Sequence, residues 1–94
     1  MKRRAYAKRN DLNQKEIVAT LKEIPGMSVE VIEEPVDLMV GWMRGTWLFE
    51  VKNPDTSHGL TPKQKDFIAR WNGGKVFVVE SVLEIINIVT GAID

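Results

Sequence analysis

Asp37 stands about a dozen residues ahead of Glu50-Val51-Lys52, an acid followed at a distance by acid, apolar residue and lysine. Residues 46–52 read as a strand, in which Leu48, Glu50 and Lys52 point one way and Trp47, Phe49 and Val51 the other. Two charges on one face of an otherwise apolar strand are costly unless they are paired or bind metal. If Trp42-Met43-Arg44-Gly45 is the loop of a hairpin, Gly41 faces Thr46 and Asp37 lies opposite Glu50 on the same face. Their β-carbons are then roughly 5 Å apart. Carboxylates that close repel and raise each other's pKa unless a cation lies between them. Such oxygen-rich sites suit Mg²⁺ or Mn²⁺, which accept one or two protein carboxylates and take water and substrate phosphate for the rest. Lys52, one step along the face, either holds an attacking water or neutralises charge on a pentacovalent phosphate. The chemistry expected is metal-assisted phosphodiester hydrolysis. A slip of one residue in the register turns Asp37 to the other face and removes it.

The elements that must position these groups read in the order αβββαβα. A first helix is expected over residues 13–24, with Ile17, Leu21 and Ile24 as its apolar stripe, Asp11 or Asn13 as its cap and Pro25-Gly26 as its stop. Strands follow over 28–33, with Val29 and Val31 on one face, and over 37–42, the two separated by Glu33-Glu34-Pro35. Residues 53–59 are a polar loop. Thr61-Pro62-Lys63-Gln64 opens the second helix with a capping box and a proline at the first helical position, and Gln64, Phe67, Ile68 and Trp71 share a face. Asn72-Gly73-Gly74 ends it, 75–79 is a buried strand, and Ser81 caps a last helix running to about Val89. The fold expected is α/β with a mixed sheet: a three-strand antiparallel meander extended by a fourth, parallel strand across the helix crossover.

Composition narrows the setting. A chain of 94 residues implies one domain with a modest core. No apolar run approaches the ~18 residues of a membrane span. The basic start is not followed by an apolar stretch, so no secretory signal is expected and a cytoplasmic setting fits. With no cysteine, disulfides, thiolate zinc sites and a cysteine nucleophile are excluded. The formal net charge of zero conceals an asymmetry, since Lys2, Arg3, Arg4, Lys8 and Arg9 are five of the thirteen basic residues. Residues 1–10 are therefore read as a basic, flexible arm on an acidic domain spanning 11–94. The arm either contacts a polyanion, driven by counterion release, or only solubilises the chain. Lys63 and Lys65 stand by a helix N-terminus, where they form a solvated face or meet phosphate.

Pro35-Val36-Asp37 with Glu50-Val51-Lys52 resembles the PD-(D/E)XK nuclease superfamily, one residue being inserted between proline and aspartate. The run Gly59-Leu60-Thr61-Pro62-Lys63-Gln64-Lys65-Asp66-Phe67, then Gly73-Gly74-Lys75-Val76-Phe77-Val78-Val79, is similar to its VRR-NUC branch. The resemblance runs from about Asn13 to Val89 and implies a restriction-endonuclease-like core. It implies that Asp37, Glu50, the Val51 carbonyl and a first-helix acid hold the metal, with Lys52 assisting catalysis. Glu16 is the best match for that acid and Glu23 a weaker one. It also implies that Gln64 lies near the metal, although Gln64 serves equally as half of the capping box. The same resemblance implies a small phage or prophage homodimer that cuts branched DNA or four-way junctions in a Mg²⁺- or Mn²⁺-dependent manner.

Each group also has a plainer reading. Glu50 and Lys52 form an ion pair on an exposed edge, Glu16 is a solvated helix residue, and His58 is a surface residue or phosphate contact rather than a general base. Phe67, Trp71, Trp42 and Trp47 are read as core or interface, not as stacking platforms. The alternative function is a non-catalytic nucleic-acid-binding module, or an accessory subunit of a larger phage DNA-processing enzyme.

Overall fold

Sequence periodicity and observed architecture agree in the order of elements and differ at the first helix. The computed structural model describes residues 3–52 and 59–91, with side chains from residue 13 onward. Helix α1 spans Arg3–Lys22, ten residues earlier at its start than the apolar stripe indicates. Ala5, Ala7, Lys8, Arg9 and Leu12 are strong helix formers, and neither glycine nor proline interrupts them. From Arg3 onward the backbone of the expected arm is thus helical and continuous with the first helix. Asp11 and Asn13 lie within this helix instead of capping it. The helix ends in tightened turns, Glu23 N–H donating to Thr20 O at 3.1 Å and Ile24 N–H to Leu21 O at 3.0 Å. Gly26, at φ 86°, then takes the left-handed conformation that turns the chain into the sheet.

The described residues form one four-stranded sheet in the order β1-β2-β3-β4. Strands β1 (Ser28–Val31), β2 (Leu38–Trp42) and β3 (Gly45–Val51) are an antiparallel meander, and β4 (Val76–Val79) joins β3 in parallel. The mixed α/β fold expected from the sequence is the one observed. β1 stops two residues short of the expected strand because Glu33 adopts φ 69° and the N–H groups of Ile32 and Glu33 both turn to Asp37 O, at 2.9 and 3.3 Å. The β2–β3 register pairs Gly41 with Thr46 and Trp42 with Gly45. Met43 and Arg44 connect them at φ 48° and 70°, the conformation of a two-residue type I′ turn that matches the twist of the strands.

One face of the sheet carries Val29, Leu38, Val40, Phe49, Val51 and Val79, and it packs against Ile17 and Leu21 of α1 and Ile85 and Val89 of α3 (Val82–Thr90). Leu21, Leu38, Phe49 and Ile85 are fully buried, each worth about 1.5–3 kcal/mol of transfer free energy. Trp47 and Trp42, expected in the core or at an interface, are partly buried and pack against this cluster. Val31, expected to share the buried face with Val29, is 44% exposed because it lies on the edge strand where the sheet ends. Helix α2 (Pro62–Arg70) stands outside the cluster, burying Phe67. Both capping boxes are complete, Thr61 with Gln64 at α2 and Ser81 with Glu84 at α3, and α3 closes at Gly91 in the left-handed conformation.

Candidate active site

The meander brings the start of β2 and the end of β3 to one margin of the sheet. Asp37 directly precedes β2, and its Oδ2 accepts the N–H of Val51 at 2.8 Å. That side-chain bond lies just past the end of the β2–β3 ladder and holds the carboxylate against β3. Glu50 itself is 6% exposed, the one charged side chain that is buried among the described residues. Its Oε2 lies 3.4 Å from Lys52 Nζ, while Oε1 is buried with no hydrogen-bond partner among the described residues.

Lys52 is held from several directions. Its N–H donates to Val79 O of β4 at 2.8 Å. Its carbonyl accepts Asn13 Nδ2 of α1 at 3.3 Å, and its Nζ also donates to Gly59 O at 3.4 Å. Three parts of the fold therefore restrain one lysine. Two of these bonds fix the Lys52 backbone, while its ammonium is held only by Glu50 and by the exposed bond to Gly59 O.

Electrostatically the pair is unfinished. Burial pushes Asp37 from 3.8 up to about 6, an effect opposed by the Val51 N–H, reinforced by the charge of Glu50, opposed by Lys52 and reinforced again by the hydrogen bond that protonated Asp37 makes with the Glu50 carboxylate. A buried carboxylate with an unpaired oxygen beside a second, partly desolvated carboxylate is a donor set for a small hard cation. Among the described residues no three His, Asp or Glu side chains converge into a group that could hold a metal. The protein donors are thus the two carboxylates, within the one or two that Mg²⁺ commonly takes from protein. On donor chemistry the pair fits Mg²⁺ or Mn²⁺.

The other expected site residues divide. Glu16 is exposed on α1 and does not join Asp37 and Glu50 in a three-acid cluster. Glu23 is exposed and lies beyond the end of that helix. Val51 enters through its N–H, given to Asp37. Gln64 is committed to structure: its Oε1 accepts Thr61 N–H at 3.1 Å and its Nε2 donates to Pro35 O at 3.4 Å. This second bond ties α2 to the segment entering Asp37. Lys63 and Lys65 are exposed near the start of α2. His58 and Lys2 lie outside the described residues, as do the side chains of Arg3, Arg4, Lys8 and Arg9.

Asn13 is the site neighbour that sequence reasoning does not single out except as a cap. Its one available signal is position, one turn before Ile17 on the same helix. A cleft of ≈ 830 Å³ opens between Glu33-Glu34-Pro35 and α2, with Phe67 and Arg70 in its lining; Asp37, Glu50 and Lys52 are not among its lining residues. Compared with protein-family models, curated proteins and solved structures, the chain matches none.

Proposed function

We propose that this protein is a Mg²⁺- or Mn²⁺-dependent endonuclease hydrolysing DNA phosphodiester bonds. The observation that carries the reading is Glu50: a carboxylate kept at 6% exposure, one oxygen on Lys52 and the other with no partner among the described residues, next to Asp37. A purely structural ion pair would be expected to satisfy both oxygens, because a buried unpaired acceptor costs about 1–3 kcal/mol. Asp37 and Glu50 would hold the ion, which when bound supplies Lewis-acid polarisation of the phosphate and a water acidified for attack. Lys52 presents a restrained ammonium to the phosphate that accumulates charge. Gln64 acts on the site indirectly, by docking α2 against Pro35 and so holding the approach to Asp37 in place.

Branched or four-way-junction DNA is the substrate favoured by the resemblance of the motifs, acting in the cytoplasm, that of the host if the gene belongs to a phage. A symmetric homodimer would present two such sites about a two-fold axis, suited to nicking two strands.

The test is a nicking assay on supercoiled plasmid and on a four-way junction with Mg²⁺, Mn²⁺ or EDTA. Cleavage should require a divalent ion and fall at least about 100-fold in Glu50→Ala. Cleavage that persists unchanged in that variant would exclude the site.

A further inference from the structure

Of the two places expected for Trp71, core or interface, the core is not the one it takes. It is 44% exposed, outside the hydrophobic cluster, at the C-cap of α2. An exposed indole is ordinarily free to move, and this one is not. Its Nε1 donates to Gly74 O at 2.7 Å, and its ring packs on Phe67 with centroids 5.2 Å apart. It also lies across Gly73, where a β-carbon would meet the ring at 2.5 Å. The single polar atom of the indole is turned inward, so what faces outward is apolar ring, already ordered.

Two cations of the neighbouring sequence each lie over a ring. The Arg70 guanidinium sits 5.7 Å above the Phe67 ring, and Lys75 Nζ lies 5.2 Å from the Phe77 ring. Arg70 also meets Asp66 at 3.5 Å, but both side chains are largely exposed, and such a pair holds the arginine weakly. Gly74 has open space around its α-carbon, leaving room for close approach. Phe67 is buried beneath Trp71, so the exposed ring here is the indole, with the exposed Arg70 next to it in sequence. An exposed ring beside a cation is the chemistry by which proteins hold single-stranded or splayed nucleic acid. A cleft lined by Glu33, Glu34, Pro35, Gln64, Phe67 and Arg70 runs from the flank of α2 to the segment entering Asp37.

We propose that Trp71 is a stacking platform for a nucleobase of the substrate strand, which rests on the nuclease reading of the Asp37–Glu50 site. Gln64, whose amide reaches the segment before Asp37, and Trp71 are seven residues apart. Along a helix that separation is ~10 Å.

The experiment measures binding of the full chain to labelled single-stranded and junction oligonucleotides by fluorescence anisotropy, with Ca²⁺ replacing Mg²⁺ to suppress cleavage. Trp71→Leu, which keeps apolar packing and removes stacking, should weaken binding roughly 5- to 150-fold, whereas Trp71→Phe should retain most of it. An abasic-site series needs no altered protein: loss of a single base should weaken binding most at one fixed position relative to the cleaved bond, and that positional effect should vanish in Trp71→Leu. Unchanged binding by folded Trp71→Leu, equal losses in both variants, or an abasic effect without positional preference would overturn the platform. Cleavage by the wild type is followed in parallel. Trp71-dependent binding without any divalent-ion-dependent cleavage would sink the nuclease reading and leave the platform. Cleavage and binding both indifferent to Trp71 would do the reverse.

Discussion

Asp37 carries a stability cost that a bound cation would offset. Burial favours the protonated form of Asp37, so the metal-free protein is favoured at acid pH and loses stability as pH rises from 3.8 through about 6. Above that window the cost is constant. Asp37→Asn keeps an oxygen to accept the Val51 N–H and cannot ionise. Its melting temperature should therefore exceed that of the wild type by more at pH 7.5 than at pH 4.5, measured in EDTA. An equal difference at both values would show that Asp37 does not carry the effect. Adding Mg²⁺ at pH 7.5 should raise the wild-type melting temperature and leave Asp37→Asn nearly unmoved, since bound ion stabilises only the state that binds it. At pH 4.5 the same addition should do little, because the ligand must lose its proton first.

The hairpin joining β2 and β3 sets the geometry of that pair, and its turn is not optimised. Met43 and Arg44 occupy left-handed conformations that asparagine and glycine adopt at far lower cost. Replacing Met43-Arg44 by Asn-Gly should stabilise the protein by about 1 kcal/mol in denaturant unfolding while cleavage stays the same. A loss of stability would mean that the two side chains make interactions outweighing the strain. Gly45 is the opposite case. A β-carbon there would meet the Trp47 ring at 2.5 Å, so Gly45→Ala should cost about 1–3 kcal/mol through displaced packing. Because Trp47 and Glu50 lie on one strand, that variant should also lower cleavage more than its stability loss explains.

Across the whole molecule, charge is segregated. Five of thirteen basic residues fall in the first nine positions, leaving eight basic and thirteen acidic residues in the rest of the chain. Helix α1 is 20 residues long, and among its described side chains the buried ones begin only at Ile17. Its N-terminal half therefore carries most of the basic set on the same element that supplies Asn13 to Lys52. Replacing Lys2, Arg3, Arg4, Lys8 and Arg9 by alanine preserves helix propensity. It should weaken DNA binding uniformly across sequences and flatten its salt dependence by roughly 0.9 for each phosphate no longer neutralised. A salt slope identical to that of the wild type would assign those residues to solubility alone.

Much of this is legible in the chain because it depends on local physics. Alternation in residues 46–52 places Glu50 and Lys52 together, and the short turn before Thr46 sets the register that carries Asp37 to them. Thr61-Pro62-Lys63-Gln64 marks the start of α2, since a capping box is satisfied within its own four residues. Apolar spacing understates α1, because propensity alone continues a helix past its packed face when nothing breaks it. What the amino-acid sequence could not decide is whatever depends on elements far apart in the chain. Tertiary packing brings Asn13 to Lys52 across 39 positions. It also leaves Glu16 in solvent, buries Glu50 with one oxygen unpaired among the described residues, and turns Trp71 outward while fixing it in place. Hydrogen bonds within a turn are specified by neighbours, but burial and the partners of a side chain are properties of how separate elements meet.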